Sequence, residues 1–204
     1  MKLILQTRRL TLRELEKEDV GALRLILQDP LVMYAWEHAF TDAEIRGWIE
    51  TNQARYQKDG CGYWAAQASE TGKLIGMLGL LMEELDGERK LGLGYFSAGL
   101  LGHGLRHRGA QALLDEAFYK RNASEVIAEI RPENIPSRRV AERLGMRAEG
   151  ELVKHYRGKD MPHLIYVKRS GAKKIVTQWI LWPYYQHEEL FLQRRRWNAG
   201  RFIL

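Results

Sequence analysis

The sequence has few of the residues that build disulfide frameworks, cysteine-based zinc sites or membrane spans. Its 204 residues include one cysteine, Cys61, which excludes both an internal disulfide and a zinc site built on several cysteines. The nearest candidate for a membrane span, residues 175–185, is shorter than the ~20 residues that a spanning helix needs, and Gln178 and Pro183 interrupt it. The N-terminus acquires charge too early for the apolar core of a signal peptide. We therefore expect a cytoplasmic protein without a membrane partner.

Positive charge is the main compositional bias. Lys and Arg number 32 against 26 Asp and Glu, which gives a net charge of +6 and attracts anions. A generally basic surface, a nucleic-acid partner and a phosphate-rich cofactor all fit this charge. The hydrophobic content of 45% and the length suit one globular domain. Composition does not choose among the three interpretations.

Hydrophobic periodicity predicts an α/β domain with a mixed, mostly antiparallel sheet flanked by helices. Thr41 and Glu44 form a capping box that begins one helix, and apolar residues from Ala110 to Phe118 recur at helical spacing in another. A meander of antiparallel strands followed by a βαβ unit gives such a sheet. The predicted strands are 9–14, 63–68, 74–81, 90–96, 126–130, 152–156 and 164–167, and the remaining predicted helices are 18–27 and 135–144.

The most specific motif lies in residues 125–146. The run RPEN at 131–134, Ser137 and the run RLGM at 143–146 resemble the strand–turn–helix segment of the ribosomal-protein-type (RimJ/RimL-like) subgroup of GNAT N-acetyltransferases. The N-terminal run 7–15 and the run HYRG at 155–158 are similar to the same subgroup. The resemblance implies the GNAT acyl-CoA N-acyltransferase fold over residues 7–169, and it leaves 170–204 as an extension of unassigned role.

The resemblance places acetyl-CoA, as cosubstrate, in a gap between two splayed strands, at residues 94–96 and 126–130. It implies that the backbone N–H groups of Tyr95 and Phe96 point at the thioester carbonyl, where negative charge develops. An ordinary buried strand pair is the alternative. The family's pyrophosphate loop, whose N–H groups hold phosphate oxygens at a helix N-terminus, falls at Gly102, His103, Gly104, Leu105 and Arg106. A flexible connector is the alternative there.

The segment 101–109 departs from the family pattern. Leu101 replaces a typical tryptophan, and cations such as Arg106 and Arg108 lie in a helix's first turn, where the dipole opposes them. One codon choice for residues 97–109, read one base later, encodes Pro-Pro-Gly-Phe-Trp-Gly-Thr-Gly-Tyr-Ala-Thr-Gly, which is close to the family loop. A compensated frameshift is therefore one hypothesis, which the gene sequence decides. It predicts a GNAT fold with impaired CoA binding.

Three residues are candidates for catalysis and cofactor contact. Glu129 lies at the spacing of the catalytic glutamate in some members that acetylate protein N-terminal amines, and Asn134 and Ser137 match positions that contact the cofactor arm. Ser137 would protonate the leaving sulfur, because the family's alternative tyrosine is Ala141 here. Local alternatives are an outward-facing charge for Glu129, a helix N-cap for Asn134 and a first-turn polar residue for Ser137.

The sequence thus predicts an N-acetyltransferase that moves the acetyl group of acetyl-CoA to a primary amine, either a protein N-terminus or a small amine, by direct attack in a ternary complex. No metal is expected, because no cluster of His and carboxylates has metal-ligand spacing. A basic nucleic-acid-binding module is the competing class, favoured only by the charge and the tail. The tail's Trp179, Trp182 and Trp197 fit a helix on the domain, a homodimer contact or shifted-frame sequence.

Overall fold

The computed structural model describes residues 2–97 and 103–171, so the extension from residue 172 onward lies outside the described part. The strands are β1 (Leu3–Gln6), β2 (Leu10–Arg13), β3 (Tyr63–Ala68), β4 (Leu74–Leu85), β5 (Glu88–Ser97), β6 (Glu125–Ile130), β7 (Arg147–Tyr156) and β8 (Lys159–Arg169). The helices are α1 (Val20–Leu27), α2 (Pro30–Met33), α3 (Asp42–Asp59), α4 (His103–Asp115) and α5 (Ile135–Arg143), with 3-10 turns at Lys17–Asp19 and Tyr34–Trp36 and a π-turn at Glu116–Lys120. None of the helices in the described ranges is both long and apolar enough to span a membrane.

The strands form a single sheet in the order β1-β2-β3-β4-β5-β6-β8-β7. All neighbours are antiparallel except β5 and β6, which are parallel and are connected through α4. This arrangement confirms the predicted α/β fold with a mostly antiparallel sheet.

Helices cover the sheet on both faces. Alternating residues of β4 serve two separate core clusters, because successive side chains of a strand point to opposite faces. Met77 packs with residues of α1 and α3, including Leu23 and Ile49, whereas Leu78 packs with residues of α4 and α5, including Leu113. We call the first side the α3 face and the second the α5 face.

Local sequence signals explain where the helices begin and end. In α3 the Glu44 N–H donates to the Thr41 hydroxyl at 3.3 Å, and the Thr41 N–H donates to the Glu44 carboxylate at 2.7 Å. The predicted capping box is therefore confirmed. The same helix ends at Gly60, whose φ of 66° is the left-handed conformation that glycine adopts without strain.

Two elements were not predicted, and several strands are longer than predicted. β1 lies at the sheet edge and buries only Leu5, so it carries little hydrophobic pattern. α2 is a single turn that begins at Pro30 after the capping residue Asp29. β7 extends back to Arg147 through residues that are mostly exposed, because it is held by backbone pairing to β8 rather than by burial.

Candidate active site

A cavity of about 350 Å³ opens where β5 and β6 separate. The described residues of these two strands are paired at one position, Gly92 with Ile127. Beyond it, residues 93–96 of β5 and 128–130 of β6 line the cavity. The resemblance put the acetyl-CoA gap between 94–96 and 126–130; the separation includes 94–96 and 128–130, whereas Ile127 is still paired with β5.

The α5 face contributes Asn134 and Ser137 to the cavity wall. The Asn134 side-chain oxygen accepts a hydrogen bond from the Ser137 N–H at 3.2 Å, so Asn134 caps α5. The Tyr95 hydroxyl donates to the Ser137 carbonyl at 3.2 Å, and burial raises the pKa of Tyr95 to about 12. The cap described for Asn134 on local grounds is present, and it fixes the first turn of α5 against β5. Tyr95 and Phe96 line the cavity and also use their side chains for packing.

The α3 face contributes two carboxylates and a lysine. The Glu129 side chain is 9% exposed, faces the cavity and is ion-paired with the Lys154 ammonium. The outward-facing alternative for Glu129 is therefore wrong. The Lys154 nitrogen also lies 4.0 Å from a carboxylate oxygen of Glu83 on β4. We call Glu83 and Glu129 the carboxylate pair, and Lys154 is the cation between them.

The environment perturbs two titratable groups of this site. Burial raises the pKa of Glu83, the charge of Lys154 lowers it, and the neighbouring Glu129 raises it again. Burial lowers the pKa of His163, whose Nδ1 lies 2.8 Å from the Met161 carbonyl. With that nitrogen as the donor, the neutral ring keeps its other nitrogen as an acceptor. The cavity therefore holds two titratable groups whose neutral forms are favoured by burial.

Aromatic side chains close the cavity on the α3 face. Trp36 lies 6.0 Å from Trp48, 5.6 Å from Phe96 and 5.8 Å from Tyr156, measured between ring centroids. Tyr63 lies 5.3 Å from Trp48 and 5.1 Å from Phe96. These five residues are the aromatic wall. They share the lining of the cavity with the carboxylate pair.

Ion pairs join the edge of the cavity to the hairpin between β7 and β8. Glu37, which follows Trp36, accepts hydrogen bonds from Arg131 at 2.9 Å and from Lys159 at 2.6 Å. Arg157 lies 3.3 Å from Glu44 on α3. The segment after α2 and the β7–β8 hairpin therefore meet above the cavity.

The predicted pyrophosphate residues lie at and before the start of α4. Gly102 is outside the described residues, and α4 begins at His103, so that Gly104, Leu105 and Arg106 belong to its first turn. Further along the helix, a Cβ atom on Gly109 would lie 2.6 Å from a methyl group of Leu78. The glycine therefore allows α4 to pack closely on the sheet.

Three residues of the cavity lining, Glu83, Lys154 and His163, were not predicted from the sequence. Glu83 ends an apolar run on β4. It lies six residues after Met77, and since side chains alternate along a strand, both point to the α3 face. This alternation is the sequence pattern that could have identified Glu83. Lys154 and His163 carry no comparable signal, because their position in the site follows from the register of β7, β8 and β6.

Comparisons with known proteins define the class of enzyme to which this chain belongs. The acetyltransferase (GNAT) domain family matches residues 9–147. This chain belongs to the GNAT family and is an acetyl-CoA-dependent acyltransferase.

Two bacterial relatives match this chain over most of its length. The chain is 30% identical over 168 residues to the uncharacterized protein YkkB of Bacillus subtilis. The match covers 81% of this chain and 95% of that protein. It is 32% identical over 146 residues to the uncharacterized N-acetyltransferase YnaD of the same organism, which covers 71% and 82% respectively. The fold is similar to that of RimL, a ribosomal L7/L12 alpha-N-protein acetyltransferase solved with coenzyme A, with a TM-score of 0.66, 19% identity and coverage of 84% of this chain and all of that one.

Proposed function

We propose that this enzyme transfers the acetyl group to a primary amine by direct attack within a ternary complex. The observation that carries the proposal is a single cavity lined on the α5 face by Asn134 and Ser137 and on the α3 face by Glu129 and Glu83. Cofactor and acceptor can therefore occupy opposite sides of the β5–β6 separation at the same time. Direct attack needs both reactants oriented together, which such a site provides.

Acetyl-CoA would approach from the α5 face. The start of α4 and the capped first turn of α5 are both on that side, and helix N-termini favour the negative charge of phosphate groups. The structure of RimL with coenzyme A supports the choice of cofactor for this fold. β5 stays in regular register with β4 through Tyr95 and Phe96, so their two N–H groups point to opposite edges of the strand. The one of the two that faces β6 would stabilise the oxyanion that forms at the thioester carbonyl.

The amine would approach from the α3 face. Amine acylation requires a neutral nucleophile, so a base must take a proton from the incoming ammonium. Glu129 is the proposed base, with Glu83 and Lys154 setting the charge around it. Ser137, on the opposite side, is the proposed donor of a proton to the leaving sulfur. The aromatic wall would contact the part of the acceptor next to its amine.

Release of CoA over a panel of amines tests the proposal, with N-terminal peptides, polyamines and aminoglycosides as acceptors. We expect Glu129→Gln and Ser137→Ala to lower turnover on the order of 100-fold, which is typical for loss of a general acid or base. Glu125→Gln is the matched control, because Glu125 lies on the same strand but pairs with Lys90 outside the cavity lining. Undiminished turnover in both test variants would remove the acid and base assignments.

A GNAT-fold protein with impaired CoA binding is the second candidate. The atypical segment 101–109 favours it, because small residues that give phosphate oxygens access to N–H groups are replaced there. A thermal shift with acetyl-CoA separates the two: a bound cofactor at 100 times its Kd stabilises by about 2.7 kcal/mol. We expect stabilisation by acetyl-CoA; its absence at high excess would favour the impaired protein.

A further inference from the structure

The Lys154 side chain places a primary amine of the protein itself in the acetyl-transfer cavity. Its ammonium is ion-paired with Glu129 and lies 4.0 Å from Glu83. The Lys154 side chain is 43% exposed and that of Glu129 is 9% exposed, so the lysine is the more accessible partner of this ion pair. Of the lysines in the described ranges, Lys154 is the one that lines this cavity.

Proximity favours reaction at this amine. A nucleophile held beside its base in the same cavity as the acyl donor reacts as an intramolecular group, without the entropy cost of bringing in a second molecule. Lys154 meets this condition because Glu129, the proposed base, already contacts its ammonium. The flexible four-carbon stem of lysine allows the nitrogen to move within the cavity.

We propose that Lys154 is a site of self-acetylation, modified by the enzyme's own acetyl-CoA when no external acceptor is bound. The inference rests on the proposed function, because it uses the same cofactor and the same base. Glu129 takes one proton from the ammonium, and the nitrogen lone pair attacks the thioester carbon. The carbon–sulfur bond breaks, the nitrogen loses a second proton, and the sulfur leaves as the CoA thiol. Acetyl-lysine and CoA are the products, with one proton released overall.

Acetylation would change the site that produced it. The acetyl-lysine has no charge, so Glu83 and Glu129 would lose the cation between them. Arg55, which also lines the cavity and lowers the pKa of Glu83, would remain, as would His163. With less positive charge beside them, two neighbouring carboxylates resist simultaneous ionisation more strongly. Self-acetylation would therefore alter the pH dependence of transfer to external amines as well as block the Lys154 nitrogen.

Mass spectrometry of the full-length chain after incubation with acetyl-CoA tests the proposal. We expect one acetyl group on Lys154 in the wild-type protein, formed at a rate that does not depend on protein concentration. Glu129→Gln should slow its formation on the order of 100-fold, because the base is lost. Lys159, which is 65% exposed on the same hairpin and is absent from the cavity lining, is the internal control for uncatalysed acetylation.

The outcomes separate this inference from the proposed function. Turnover on an external amine with Lys154 unmodified would overturn self-acetylation and leave the proposed function intact. Modification of Lys154 and Lys159 to the same extent, unchanged in Glu129→Gln, would show uncatalysed chemistry and also overturn it. No turnover, no thermal shift with acetyl-CoA and no modification would overturn both. A preferential modification of Lys154 that excess amine acceptor suppresses would support the inference.

Discussion

The hydroxyl of Tyr63 lies against the backbone of Gly94, in the space that a Cβ atom on residue 94 would fill. Residues 63, 79 and 94 are in register across β3, β4 and β5, and Gly79 has no side chain to stand between the other two. The Tyr63 side chain therefore reaches β5 at the point where β5 separates from β6. The absence of a side chain at residue 94 helps to position the aromatic wall.

Gly94→Ala should displace Tyr63 and disturb both stability and turnover. Overpacking of a well-packed site costs about 1–3 kcal/mol, and here the displaced ring lies on the proposed acceptor side of the cavity. Thermal unfolding and CoA release measure the two effects. Gly47→Ala is the control, because a Cβ atom there meets nothing within 4 Å and alanine favours the helix. Equal behaviour of the two variants would contradict the role given to the Tyr63–Gly94 contact.

Lys154→Met should move the acid limb of the pH–rate profile to higher pH. Burial and the charge of Glu129 raise the pKa of Glu83, whereas the charges of Lys154 and Arg55 lower it. Loss of the Lys154 cation should therefore raise the pH at which the carboxylate pair, which includes the proposed base Glu129, is fully ionised. A base with a higher pKa is deprotonated only at higher pH, which gives the direction of the shift. Lys154→Arg keeps the cation and is the matched control. A profile that does not move in Lys154→Met would show that the carboxylate pair does not supply the base.

Arg13→Met should destabilise the fold strongly. Arg13 makes two hydrogen bonds to Asp19, at 2.7 and 2.6 Å, and both side chains are under 10% exposed. Removing one partner of a buried ion pair leaves an uncompensated charge and costs about 3–5 kcal/mol. Denaturant unfolding measures the loss. The exposed pair of Arg24 and Asp42 is the comparison, and Arg24→Met should barely change the midpoint. Similar losses for both would indicate that burial does not decide the effect.

Glu44→Gln should remove an acid-dependent contribution to stability. Hydrogen bonds from the Thr41 backbone and from His38 lower the pKa of Glu44 from 4.5 to about 2. Since the folded pKa is the lower one, this contribution is present above pH 4.5 and is lost as pH falls toward 2. Thermal midpoints recorded over that range should fall more steeply in the wild-type protein than in Glu44→Gln. Glu50→Gln, on the same helix, controls for charge removal, and identical slopes in all three proteins would contradict the prediction.

The sequence predicted the fold and part of the site for different reasons. The capping box at Thr41 and the helix that Gly145 ends are local signals, because the bonds that form them join residues a few positions apart. Asn134 and Ser137 came from a motif resemblance, and the structure places both in the cavity wall. Their part in catalysis stays a prediction.

The remainder of the site depends on contacts between distant strands. Glu129 meets Lys154 only because β8 pairs with both β6 and β7, and Glu83 joins them from β4. A strand register is set by packing of the whole sheet, so a short stretch of sequence does not reveal which charges become neighbours. The aromatic wall has the same origin, since Trp36, Trp48 and Tyr156 come from three separate segments.

The parallel pair β5–β6 has a kinetic consequence. The cavity at its separation is lined from both faces of the sheet, with the start of α5 on one side and the carboxylate pair on the other. Two substrates that occupy opposite faces do not displace one another. Free CoA should therefore inhibit competitively against acetyl-CoA, and no concentration of the amine acceptor should relieve that inhibition.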